Sequence, residues 1–298
     1  MNATSLAYQW RHPKFNYLKA ATVKEACSLL SQYKDKVKLI AGGTDLLVSA
    51  RRGKITPLYI INIKTIPSLD YISYDGDGLR IGALATLSEI ESSSLIGNRF
   101  PIIADSAHQV GTPQVRNVGT IGGNLCNAAP SADMAPSLIG LEAKAKLKGH
   151  KGERTVALEE FFTGPGETVL QAGEMLIEIQ VPNPPPYTRG IYLKLPARTA
   201  IDLAVVGVAA VVTLDSKGAN IVDAKIVLCA VAPTPIRAGK AEYIIKGKAI
   251  RDELTEKAAQ IAAEEAKPIS DVRGSASYRK EMVRVLTNRA IRQLVFSA

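Results

Sequence analysis

The stretch Lys38-Leu-Ile-Ala-Gly-Gly-Thr-Asp-Leu-Leu47 decides how this chain is read. An apolar run of strand length leads into paired glycines, and helix-like sequence follows. Paired glycines let a backbone approach another group closely, and successive N–H groups can then converge on one concavity of the kind that suits a phosphate. About eighty residues further on, Thr120-Ile-Gly-Gly-Asn124 offers a second such run. Each run alone reads equally well as a tight turn, whereas the two together suggest a diphosphate held from two sides. Neither ends in the Gly-Lys-Ser/Thr of a Walker loop, because Gly43 is followed by Thr44-Asp45-Leu46, and neither supplies Gly-x-Gly-x-x-Gly. ATP hydrolysis and Rossmann-type dinucleotide binding lose ground accordingly.

Outward from the first run, Thr22 with Glu25 reads as a capping box opening a helix over 22–30. Val37 to Ala41 reads as a buried strand, Leu46 to Arg52 as a helical turn and Leu58 to Ile63 as the next strand. This α/β lobe ends near Pro67. A second lobe starts with strands over 69–74 and 79–83, joined by the hairpin signal Asp75-Gly-Asp-Gly78. Helices are predicted over 86–96, capped by Thr86 with Glu89, and over 102–110. After the second glycine run a helix opens at Asp133, and strands follow over 143–148 and 174–181. Gly164-Pro-Gly166 reads as a turn.

Pro182-Asn-Pro-Pro-Pro-Tyr187 marks a boundary, since consecutive prolines cannot continue a sheet ladder. Beyond it, strand-like runs at 191–195, 205–214 and 221–232 and helices at about 238–245, 252–266 and 275–296 predict an antiparallel sheet backed by helices.

A chain of 298 residues with 46% hydrophobic residues can bury a sizeable core. No stretch approaches the roughly 20 apolar residues of a membrane span, and the start of the chain lacks the features of a signal peptide, so a cytoplasmic location is expected. Three cysteines, Cys27, Cys126 and Cys229, lie far apart without Cys-x-x-Cys, which argues against a local zinc or iron–sulfur site. The net charge of +9 is scattered among acids and accompanied by only 5% aromatic residues. It fits an acidic protein partner and an anionic ligand better than nucleic acid.

With Pro113-Gln-Val-Arg-Asn-Val-Gly-Thr-Ile-Gly-Gly-Asn-Leu125 and Tyr192-Leu-Lys194, followed by Arg198 and Asp202, the first run resembles the FAD-binding medium subunits of the molybdenum hydroxylases. The resemblance extends from about Phe15 to Arg292 with motifs in the same order. It implies an α+β fold: a two-lobed FAD-binding domain of the PCMH type, like that of vanillyl-alcohol oxidase, over 9–186, with lobes of about 9–67 and 68–186. A C-terminal domain over 188–298, an antiparallel sheet with helices, would follow. It also implies a large molybdopterin-binding subunit and a small two-iron two-sulfur subunit as partners, as a dimer of heterotrimers, with NAD, quinone or another molecule as acceptor. The cysteine-bearing insertion for an extra four-iron cluster, found in 4-hydroxybenzoyl-CoA reductase, is lacking here. A stand-alone flavin oxidase is the rival reading.

Carried over residue by residue, the resemblance assigns the FAD diphosphate and ribityl chain to Leu39, Ile40, Ala41, Gly42, Gly43, Thr44, Asp45 and Leu46. It assigns further contacts to Val110, Gly119, Thr120, Gly122, Gly123, Asn124, Cys126, Asp133, Leu176, Tyr192 and Lys194. A carboxylate beside phosphates would repel them, so Asp45 is expected to cap the helix after it or to bond neighbouring backbone. Asp133 reads either as an acceptor for a ribose hydroxyl or adenine amine, or as a helix cap. Tyr192 and Lys194 alternate on a strand and share a face; there Tyr192 would cover the flavin ring and Lys194 would place a positive charge, although an ordinary core tyrosine is the plainer reading of Tyr192. Arg116 positions the second run or meets a partner. His12, His108 and His150 have no paired nucleophile, and no catalytic residue or metal ligand is expected.

Overall fold

The computed structural model describes residues 14–197 and 203–296, so Arg198, Asp202 and His12 lie outside the described residues. Among the described residues, three sheets of three or more strands, each with its own helical cover, follow one another along the chain. The first is parallel: β1 (Asn16–Lys19), α1 (Val23–Tyr33), β2 (Val37–Ile40), α2 (Leu46–Arg51) and β3 (Tyr59–Asn62) give the strand order β1-β3-β2. Parallel neighbours need crossovers, and α1 and α2 supply them. Thr22 caps α1 by accepting from the Glu25 amide at 3.1 Å. The Glu25 carboxylate reaches the Ala21 amide, one residue before the cap, and not Thr22 itself.

The second sheet is antiparallel, in the order β4-β5-β10-β6-β7. β4 (Ile72–Asp75) and β5 (Gly78–Gly82) form the predicted hairpin, with Asp75 Oδ1 accepting from the amides of Asp77 and Gly78. A short 3-10 turn at Pro67–Leu69 takes the place of the expected strand start. The expected single helix over 86–96 is two, α3 (Leu87–Ser92) and α4 (Ser94–Arg99). Ser93 interrupts it because its hydroxyl caps α4 at the Ile96 amide, a competition with the helix that serine favours. Thr86 and Glu89 complete the capping box on α3. Next come α5 (Pro101–His108), α6 (Pro113–Arg116), α7 (Ile121–Asn127) and α8 (Met134–Gly140). The lobe closes with β6 (Lys144–Gly149), β7 (Gly152–Ala157), β8 (Phe162–Gly164), β9 (Glu167–Thr168) and β10 (Met175–Pro182). Gly164-Pro-Gly166 turns β8 into β9. Sequence reasoning missed β1, α6, α7, β7, β8 and β9.

The third sheet is antiparallel, with β11 (Thr188–Pro196), β12 (Ala204–Leu214), β13 (Asn220–Cys229) and β14 (Ile236–Arg237) in that order. After α9 (Gly239–Ile245), β15 (Lys248–Ala249) pairs with β13, and α10 (Asp252–Glu265) and α11 (Ala276–Phe296) complete the chain. β12 shows why a continuous apolar run works here. Val206, Val208, Ala210 and Val212 face the core under α9, α10 and α11, while Ala209 and Val211 pack into the core of the second lobe. A strand buried on both faces needs no polar alternation. The second and third sheets therefore share an apolar interface, and Tyr192 and Cys229 lie in it.

Candidate functional site

Gly42 and Gly43 follow β2 and precede α2, as the sequence predicts, but they are glycines for different reasons. Gly43 has φ +77°, a left-handed conformation that strains any other residue. A Cβ on Gly42 would lie 2.0 Å from the Val118 carbonyl oxygen and 2.9 Å from the Gly119 Cα. The first run therefore lies against the residues that lead into the second. Gly42→Ala is expected to destabilise the chain by about 3 kcal/mol, because backbone cannot retreat as a side chain can; a denaturant melt within 0.5 kcal/mol of wild type would refute this contact.

The first loop keeps its donors free. The amides of Gly42, Gly43, Thr44, Asp45 and Leu46 donate to no group among the described residues, while the Gly43 carbonyl accepts from Leu47 at 3.1 Å. Buried or half-buried amides are normally paired, so a run of open ones at a helix start is a ready anion site. Leu39, Ile40, Ala41, Thr44 and Leu46 are half-buried around it. Asp45 is exposed and makes no capping bond, so its expected capping role is not realised.

The second run corrects a different expectation. It is the first turn of α7 and not a loop. Thr120 caps it, accepting from the Gly123 amide at 3.0 Å, and the amides of Gly119, Ile121, Gly122 and Asn124 bond Val115, Ala85, Ala83 and Thr120 carbonyls. Gly122 is required because a Cβ would sit 2.6 Å from the Ala83 carbonyl oxygen. Gly123 is different: a Cβ there would meet only the Thr120 hydroxyl, at 3.0 Å. Beside it the Asn124 Oδ1 is buried without a hydrogen-bond partner. An orphaned buried acceptor next to an exposed glycine is a polar group that a donor-bearing ligand would satisfy. The second run thus offers a side-chain acceptor and a bare glycine where the first offers amides.

Ala83 connects this site to β10, donating to the Ile177 carbonyl at 3.0 Å; its neighbour Leu176 is 4% exposed in the core. Val110 and Cys126 are half-buried against the same core. Burial pushes the Cys126 thiol up to about 12, and likewise that of Cys229, so neither is a nucleophile at neutral pH.

Asp133 does not cap α8. Its Oδ1 accepts from the Tyr192 hydroxyl at 2.7 Å and its Oδ2 from Lys194 Nζ at 2.9 Å, and Lys194 Nζ also donates to the Gln109 carbonyl at 2.8 Å. The Lys194 and Asp133 side chains are 2% and 6% exposed. Burial raises the Asp133 carboxyl above the usual carboxylate range, and the Lys194 ammonium and the Tyr192 hydroxyl oppose that. Tyr192 and Lys194 do share a face of β11, as their alternation predicts. Tyr192 is only 4% exposed, however, packed in the interface between the second and third sheets, with its hydroxyl 3.6 Å from Cys229 Sγ. A Cβ on Gly207 would collide with both groups, at 2.4 Å from the thiol and 2.6 Å from the hydroxyl, so this cluster also depends on a glycine of β12.

His108 pairs with Glu91, and His150 sits at the β6–β7 turn, far from both in the chain. No cluster of metal-ligating side chains and no helix fit to cross a membrane is present among the described residues.

Residues 13–184 match the family described as the FAD binding domain in molybdopterin dehydrogenase, and residues 191–294 the CO dehydrogenase flavoprotein C-terminal domain. The glyceraldehyde dehydrogenase medium chain of Sulfolobus acidocaldarius is 34% identical over 95% of this chain and 99% of its own. The xanthine dehydrogenase FAD-binding subunit of Escherichia coli O157:H7 is 31% identical, over 95% and 97%. Among solved structures, a chain of carbon monoxide dehydrogenase from Hydrogenophaga pseudoflava superposes with a TM-score of 0.92 at 36% identity, covering 96% of this chain and 98% of that one. The chain belongs to the FAD-binding medium subunits of the carbon monoxide dehydrogenase and xanthine dehydrogenase family.

Proposed function

We propose that this chain is the FAD-carrying electron-transfer subunit of a molybdopterin-dependent hydroxylase or dehydrogenase, working in the cytoplasm. Its partners would be a large molybdopterin-binding subunit and a small two-iron two-sulfur subunit, in a dimer of heterotrimers, with NAD, quinone or another molecule as final acceptor. The observation that carries the reading is the run of five open amides from Gly42 to Leu46, set against a second run with an orphaned Asn124 acceptor.

When bound, the flavin supplies the ability to take up electrons singly and release them in pairs. The chain's own residues bind and orient it. The open amides and the start of α2 favour the diphosphate, Gly123 leaves room for close approach, and Asn124 Oδ1 accepts from a hydroxyl. Val110, Cys126, Leu176, Tyr192 and Lys194 would border the site, with Asp133 fixing the last two. In domain terms, 9–186 would carry the cofactor and 188–298 would close over its ring end. A stand-alone oxidase has less support: the relatives named above are medium chains and subunits, and the Cys126 and Cys229 thiols are too basic for a covalent flavin link.

Mixing experiments test the division of labour. The chain alone should not have its flavin reduced by the carbon substrate of the complex, and adding the two partner subunits should restore that reduction. Rapid anaerobic bleaching of the isolated chain by xanthine, nicotinate or carbon monoxide would promote the oxidase instead.

A further inference from the structure

Arg116 is a buried cation that the binding reading leaves without a task. Its side chain is 8% exposed, which removes it from any partner surface. Its Nε and one terminal nitrogen donate to the two Glu91 oxygens, at 2.5 and 3.3 Å, and His108 Nδ1 lies 2.7 Å from the same carboxylate. Its other terminal nitrogen donates to the carbonyls of Val110 and Gly111 at 3.3 and 3.4 Å. One residue earlier, the Gln109 carbonyl accepts from Lys194. Three successive carbonyls thus turn toward two buried cations, and Gly111 adopts φ +52° within that turn.

The peptide bonds here are trans, so a carbonyl aimed at a cation sends the next residue's N–H to the opposite side. The amides so directed by Arg116 are those of Gly111 and Thr112, and neither donates to any group among the described residues. The chain then runs through α6 to Val118, the residue that touches Gly42. One continuous segment therefore links the Lys194 cluster to the first glycine loop.

We infer that Arg116, locked by Glu91, is a positioning residue. It fixes the peptide planes from Gln109 to Thr112 so that the Gly111 and Thr112 amides form a donor pair for an acceptor edge of the cofactor. This rests on the FAD reading above. The role needs a planar fork: lysine is a single point charge and cannot span a carboxylate and two carbonyls together.

Hydrogen–deuterium exchange of the full chain, in its complex, with and without added FAD, tests the inference. In wild type, FAD should slow exchange both at Gly42–Leu46 and at Gln109–Thr112. In Arg116→Lys the protection at Gly42–Leu46 should persist and that at Gln109–Thr112 should fall about fivefold or more. The flavin absorption maximum should shift while the FAD dissociation constant changes less than about threefold, because the diphosphate contacts are untouched. Glu91→Gln should give the same pattern more weakly, and it serves if Arg116→Lys does not fold. Protection at Gly42–Leu46 without any at Gln109–Thr112 in wild type, or full protection retained in both variants, overturns the inference and leaves the cofactor site standing. Protection at neither segment overturns both.

Discussion

Gly123→Val is expected to abolish flavin binding and to leave the fold close to its native stability. The position is in the first turn of α7, where the helix loses little by the exchange, since glycine and valine are both weak helix formers. A Cβ there meets only the Thr120 hydroxyl, which belongs to a cap worth about 1 kcal/mol. The melting temperature should therefore fall by no more than about 4 °C. The branched side chain would occupy the space beside Asn124 that the diphosphate or ribose needs, and the FAD dissociation constant should rise at least about 100-fold, roughly 3 kcal/mol. Gly42→Ala makes the contrast, because its cost lies in the protein's own backbone. A Gly123→Val chain that holds its full flavin absorbance through gel filtration would take the second run out of the site.

Asp133→Ala carries the other large effect, this time on stability. The substitution leaves a buried ammonium with one carbonyl and a buried phenol facing a thiol. Breaking a buried ion pair from one side costs on the order of 3–5 kcal/mol, here a fall in melting temperature of roughly 10 °C, in the flavin-free protein as well. Asp133→Asn combined with Lys194→Met removes both charges and keeps an acceptor for Tyr192, and it should recover at least half of the loss. Calorimetry on the three proteins checks this. A single variant as stable as wild type would mean that the Asp133–Lys194 pair does not hold the second and third sheets together.

The parts of the fold that were legible in the sequence were those whose causes are local. Asp75-Gly-Asp-Gly78 specifies its hairpin through its own turn geometry, Pro182 to Tyr187 stops a ladder by lacking N–H groups, and the apolar run of β12 announces a strand covered on both faces. The misreadings came from contacts distant in sequence. Gly42 and Gly122 are glycines because Val118 and Ala83 lie against them, which no local pattern reveals. Asp133 precedes a helix as a cap would, and only the pairing of β11 against the second lobe brings Lys194 and Tyr192 to it. Ser93 did carry a signal, in Ser92-Ser93-Ser94, that the helix would break there. Of the site, the runs themselves were readable; which amides stay open, and which acceptor stays orphaned, depended on hydrogen bonds closed elsewhere.

The structure of the FAD-loaded complex tests the cofactor site most directly. The cofactor diphosphate is expected within hydrogen-bonding distance of the amides between Gly42 and Leu46, with a cofactor hydroxyl donating to Asn124 Oδ1. A diphosphate bound away from those amides, or an active complex whose copy of this chain holds no flavin, would contradict it.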